Sequence, residues 1–166
     1  NGKNNEVNPK GLSEDVLKDF ETSDVGEWQG ILDSKAVRVM SREESDVARS
    51  RHPDRVLSIR MVRRLQPQTG VGARPKAKSR RCMDGQQDPD TAHLKVYDPT
   101  PQSESVLAFL QILLSHSMII QVADFKNAFC QSHALRHPRG PLYAQPCQGL
   151  PLDPNVLIEL LVPVYG

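Results

Sequence analysis

Cysteine is scarce. Cys82, Cys130 and Cys147 are the only three in 166 residues. An odd, sparse set excludes a disulfide-built scaffold and points to a reducing compartment. Aromatic residues are few, at 5% with a single Trp. That is too thin for the stacking platforms of typical single-strand nucleic-acid binders, and no segment resembles the aromatic motifs of an RRM. Long apolar runs are missing too. Val106–Leu114 is broken by Gln111 and separated from Met118–Val122 by polar residues, and neither stretch approaches the roughly 18 residues of a membrane span. The polar, Asn-rich start carries no signal peptide and no initiator Met. The expectation is a soluble, intracellular chain, cytoplasmic or nuclear, with no membrane partner, cut from something longer. Its length suits one domain with a modest core.

Acidic residues are absent from one window. Between Arg55 and Arg81 there are nine basic residues and no Asp or Glu, although the whole chain carries a net charge of only +1. A basic block in a near-neutral protein suggests a surface for a polyanion. A merely solvated face fits the composition equally well.

Spacing adds order to the block. Leu57, Ile59 and Met61 alternate with Ser58, Arg60 and Val62, which predicts a strand over Val56–Arg64. The Pro67–Pro75 stretch, with Gly70 and Gly72, reads as a turn. Lys76–Met83 reads as the return strand, with Lys76, Lys78 and Arg80 projecting from one face. Elsewhere, Ser13 is placed to cap a short helix carrying Val16, Leu17 and Phe20. Glu27–Leu32 reads as a second short helix, Val37–Met40 as a strand and Ser41–Asp54 as a loop. Thr100 and Pro101 suit the start of a helix to about Ser115, with Val106, Phe109, Leu110 and Leu113 on one apolar face. Met118–Val122 is expected to be a buried strand, Leu142–Gln145 a short strand, and Asp153–Leu161 a last helix. The order is that of an α+β fold.

Asp124 stands at the end of the expected apolar strand. A carboxylate there is costly to bury unless it is paired or ligates a metal, although an Asp that caps a turn suits the position as well. Cys130, His133, His137 and Cys147 offer four zinc-type ligands, in a spacing that matches no familiar zinc module.

The string Ala-Asp-Phe-Lys-Asn-Ala-Phe at 123–129 resembles the first palm motif of copia-type retrotransposon reverse transcriptases. Further blocks follow in that family's order. The stretch from Glu27 and Trp28 through Val39 resembles the opening helix and strand. Ile59-Arg60-Met61-Val62 resembles a fingers strand, and Lys78-Ser79-Arg80, with Gly85 and Gln87 behind it, resembles a Lys-Ala-Arg block. Tyr97 to Thr100, Gly140 to Pro146 and Leu161 to Gly166 resemble later segments. The resemblance covers about residues 27–166. Met61 and Arg81 depart from it, since each stands where the family has Trp or an apolar residue, and the Ser41–Asp54 stretch is unusual.

The resemblance implies the fingers and part of the palm of a right-hand polymerase, with a basic β-hairpin and helices packed on a small, mostly antiparallel sheet. Residues 1–26 would be a polar segment or linker, 27–101 a fingers-like region and 102–166 a partial palm. It implies two Mg²⁺ ions in the complete polymerase, about 3.5–4 Å apart, with Asp124 as catalytic metal ligand and the Phe125 carbonyl binding one ion. Lys78 and Arg80 would meet the incoming deoxynucleoside triphosphate, and Phe129 would select against a 2′-hydroxyl. Arg60, Arg63, Arg64, Lys76 and Gln145 would contact an RNA or DNA template–primer. The rest of a Pol polyprotein would be the further partner. The family's Tyr-x-Asp-Asp turn has no counterpart, because no Asp-Asp pair occurs in the sequence. The chain alone is therefore expected not to polymerise. A nucleic-acid-binding remnant without catalysis, or a decayed gene product, are the competing expectations.

Overall fold

The computed structural model describes residues 6–70, 72–93, 101–121, 123, 128–131, 134, 135, 137 and 139–164, and of residue 129 only the backbone. Among them no helix is long and apolar enough to cross a membrane. The chain divides into two compact units, one of residues 1–92 and 127–166 and the other of His93–Lys126.

The first unit is α+β. Helix α1 (Glu14–Asp33) leads to β1 (Val37–Val39), α2 (Arg42–Arg51), β2 (Val56–Gln66) and β3 (Lys76–Met83). In the second unit lies α3 (Ser103–Ser115), after which the first unit closes with β4 (Leu142–Gln145) and β5 (Ile158–Leu160). The sheet order is β1-β5-β4-β2-β3. Only the β2–β4 pair is parallel, joined over Val56–Ser58. The other neighbours are antiparallel.

The two short helices expected before β1 are one. Phe20, Asp24, Trp28 and Ile31 are buried in a single stripe along α1, at the three- and four-residue steps that keep side chains on one helix face. Gly26 lies on the exposed side and does not interrupt it. Ser13 holds the N-cap position but makes no side-chain cap bond. Trp28 and Ile31 pack with Leu57, Ile59, Met83, Leu142, Ala144, Ile158 and Leu160. This puts α1 on the face of β2 formed by its odd-numbered residues.

The expected loop at Ser41–Asp54 is instead α2. Its start is a capping box, in which the Glu44 N–H donates to Ser41 Oγ at 3.2 Å and the Ser41 N–H donates to the Glu44 carboxylate at 2.8 Å. Two orphan donors are thereby satisfied at once. Glu43 and Glu44 in the first turn and Arg49 and Arg51 in the last complement the helix dipole. The charge density that suggests a loop is what stabilises this helix. Ala48 packs with Met40, Tyr143, Leu157 and Val56 on the second face of the sheet. Buried Ser45 joins that layer by accepting from the Leu157 N–H at 2.8 Å.

The expected last helix is also corrected. Asp153 holds a turn by accepting from the Asn155 N–H at 2.8 Å, and Ile158–Leu160 then pairs with both β1 and β4. Leu157 and Ile158 are fully buried, so sheet pairing overrides the helical start signal at Asp153 and Pro154.

In the second unit, α3 begins at Ser103 with Gln102 as N-cap. The expected start at Thr100 lies outside the described residues. None of the helix is buried. On its expected apolar face Val106 and Phe109 are exposed, and Leu110 and Leu113 are half-buried. The stretch expected as a buried strand is neither buried nor a strand over residues 118–121, and Ile119 is 91% exposed. Apolar content alone does not make a strand without a pairing partner.

Candidate nucleic-acid interface

The basic window folds as the expected hairpin. β2 pairs with β3 from Ile59↔Met83 to Gln66↔Lys76. Residues opposite each other in an antiparallel ladder share a face, so this register sorts the cations. Arg63 and Arg81 fall on the α1 face. Arg60, Arg64, Lys76, Lys78 and Arg80 fall on the other, which is also the face that carries α2 further along the sheet. Beyond α2 that face is an open groove of about 370 Å³. Arg60, Val62, Arg64, Lys78, Arg80 and Cys82 line it, with Leu65, Gln66 and Pro67 at the turn end.

Val62 is 6% exposed and forms the floor beneath long cationic side chains. Such chains cover apolar surface with their stems while their heads stay in water. Arg60 is also bound by Glu6, whose carboxylate oxygens accept from Arg60 Nη1 at 2.9 and 3.1 Å. Burial raises the pKa of the Cys82 thiol against the lowering effect of Arg60 and Arg80, so this thiol is not activated as a nucleophile.

Arg63 is not in the groove. It ion-pairs with Asp24 of α1 and its guanidinium lies 5.9 Å from the Phe20 ring centroid. Expected as a template contact, it is instead part of the packing between α1 and the hairpin. Arg81 has a similar place. It is 1% exposed, its guanidinium lies 5.6 Å from the Trp28 ring centroid, and it donates to the Asp24 carbonyl at 2.7 Å. The unexpected Arg at this position is thus absorbed by stacking. Glu27, beside it on α1, has its pKa raised by burial, with the Arg81 backbone N–H and the cations Arg80, Arg81 and Lys78 opposing. Glu27 Oε1, Ser79 Oγ and Arg81 Nε are buried without a hydrogen-bond partner.

Gln145, also expected at the template, is occupied elsewhere. It accepts from Arg49 Nη2 of α2 at 2.9 Å and donates to the Pro154 carbonyl, tying α2 to the turn before β5. Asp124 and Phe125 lie outside the described residues, and so does the Phe129 side chain, whose backbone belongs to a 3₁₀ turn, Ala128–Gln131.

A second cluster goes unannounced in the sequence. Arg55 and Asp90 form a fully buried pair at 2.9 Å. Arg139 Nε donates to the other carboxylate oxygen at 2.6 Å, and His137 Nδ1 lies 3.3 Å from Asp90 Oδ2. Arg55 also donates to the carbonyls of Pro141 and Gly140 at 2.9 and 2.7 Å, so residues 88–90 are clamped to the approach to β4. Burial pushes the Asp90 pKa upward, but the hydrogen bonds from Arg139 and Arg55 prevail and hold it at about 2. Asp88, Asp90 and His137 bring ligand atoms within 4.8 Å of one another. The donor set does not suit Mg²⁺, which needs near-octahedral oxygen ligands. Here the central carboxylate is already taken by two guanidinium groups, and their charge opposes a cation. Among the described residues no other group of this kind is present, so Cys130, His137 and Cys147 do not assemble a zinc site, and Cys130 is buried in the main core. His133 lies outside the described residues.

No family model matches the chain, and no curated protein or solved structure matches it significantly.

Proposed function

We propose that the chain is the fingers and first palm portion of a copia-type reverse transcriptase, and that its hairpin groove receives the sugar–phosphate backbone or triphosphate of nucleic-acid substrates. One observation carries this reading. Arg60, Arg64, Lys78 and Arg80 converge on one open groove, and they belong to the basic hairpin whose two strands resemble the family's fingers. Cations so arranged bind phosphate without reading bases. In the complete polymerase, Asp124 and the Phe125 carbonyl would hold Mg²⁺. Without an Asp-Asp pair the chain by itself binds but does not extend a primer. Lys76, at the exposed end of the same face, would extend the track along a template.

The test is fluorescence anisotropy of a labelled RNA–DNA template–primer across a salt series. Binding that weakens linearly in log K against log salt, and that drops for Lys78→Gln with Arg80→Gln, supports the groove. Binding indifferent to both substitutions refutes it. Primer extension by this chain with Mg²⁺ would overturn the stated incompleteness of the catalytic site.

A further inference from the structure

We infer that the segment ahead of α1 is a built-in competitor for the basic groove, with the Glu6 carboxylate standing where a phosphate of a bound polyanion would sit. This rests on the groove being an anion site, as proposed above, and adds a regulatory contact to it.

Two attachments hold the segment. The Val7 N–H donates to the Arg63 carbonyl at 2.8 Å. That carbonyl is available because β4 pairs with β2 only over Val56–Ser58, and an unpaired strand edge invites an extended segment. The second attachment is the pairing of Glu6 with Arg60 Nη1. Backbone docking at Arg63 therefore delivers a carboxylate to the groove face of the same strand. A carboxylate and a phosphate oxygen compete for the same guanidinium donors. So long as Glu6 is seated, Arg60 is neutralised and the groove has one less cation to offer.

The contact is built to yield. Arg60 remains 63% exposed and Glu6 32% exposed. Exposed ion pairs are weak and screened by salt. A ligand presenting several phosphates displaces the segment, whereas one offering a single weak anionic contact does not. The segment therefore raises the threshold for non-specific anions more than it hinders an extended nucleic acid.

Anisotropy with a mixed-sequence RNA–DNA hybrid, at low salt, tests this on four versions of the 166-residue chain: the parent, Glu6→Gln, Val7→Pro and Glu14→Gln. Val7→Pro removes the anchoring N–H and leaves every charge in place. Glu14→Gln removes an equal charge from the exposed start of α1, which packs on the opposite face of the hairpin. Glu6→Gln and Val7→Pro are each expected to tighten binding by about 2–5-fold, the range an exposed ion pair supports. Glu14→Gln should change it by less than about 1.5-fold, because its charge is remote and screened. Tight binding by the parent that Val7→Pro leaves unaltered overturns this inference alone, as does an equal gain from Glu6→Gln and Glu14→Gln. Absence of binding in all four proteins, with circular dichroism showing them folded, overturns the groove reading and this inference with it.

Discussion

Arg63 and Arg64 are consecutive in β2 and face opposite ways. Arg63 pairs with Asp24 beneath α1, and Arg64 lines the open groove. The pleat of a strand turns one run of basic sequence to two sides, one packed against α1 and one lining the groove proposed to receive phosphate.

That division separates two substitutions of equal charge. If the groove receives nucleic acid as proposed, Lys78→Gln leaves one phosphate without its cation, which should lower the slope of log K against log salt by about 0.7–0.9, with little effect on unfolding. Arg63→Gln should leave that slope unaltered and lower stability by about 1–3 kcal/mol, since Asp24 then stays buried with an unsatisfied carboxylate. A salt series and a urea titration on both variants check the pair of outcomes. A slope change for Arg63→Gln would place it in the binding surface after all.

The capping box of α2 makes a second prediction. Ser41→Ala removes the acceptor of the Glu44 N–H and should cost about 1 kcal/mol in urea unfolding. Ser41→Asp keeps an acceptor and a favourable charge at the helix start, so it should restore most of the loss. If both variants unfold alike, the box contributes nothing.

Much of the hairpin is legible in the sequence because its signal is local. The alternation of cations with smaller or apolar residues gives the bounds of β3, Lys76–Met83, as the structure has them. The α2 start is legible as well, in Ser41 followed three residues later by Glu44, but the surrounding charge obscures it. Other features have no local signal. β5 exists because β1 and β4 accept it on either side, and neither pairing is written in residues 153–161. The Asp90 cluster draws on Arg55 and Arg139, which are 35 and 49 residues away in sequence. Glu6 lies 54 residues from Arg60. Long-range partners of this kind emerge only from the assembled topology. Arg63 and Gln145 therefore read as binding residues in the sequence, although Asp24 and Arg49 engage their side chains in the fold.

The Asp90 cluster predicts an acid-sensitive contribution to stability. The folded pKa, about 2, lies below the ordinary 3.8. Above about pH 4 the carboxylate is ionised in both states and the contribution is fully present. As pH falls from 3.8 toward 2 the unfolded chain takes up the proton first, and the contribution is lost. Urea midpoints of the parent and of Asp90→Asn should therefore differ most at neutral pH and converge as pH falls through that window. A difference independent of pH would show that the ion pairs do not set the Asp90 pKa.

Glu27 should behave in the opposite sense. Its carboxylate is partly buried beside Arg81 with Oε1 unpartnered, and burial raises its pKa above the ordinary 4.5. Below about pH 4.5 the group is neutral in both states and exerts no penalty. As pH rises through the elevated folded value, the unfolded chain ionises readily while the folded protein ionises at a cost, so stability is lost. Glu27→Gln removes that cost but keeps an acceptor for the Arg81 N–H. It should stabilise the protein at pH 7, and the gain should vanish on acidification toward about pH 4. The cations Arg80, Arg81 and Lys78 oppose the shift, so moderate salt, by screening them, should enlarge the gain at neutral pH. A destabilising Glu27→Gln at neutral pH would mean that those cations outweigh burial, and that Glu27 is a counter-charge for the hairpin.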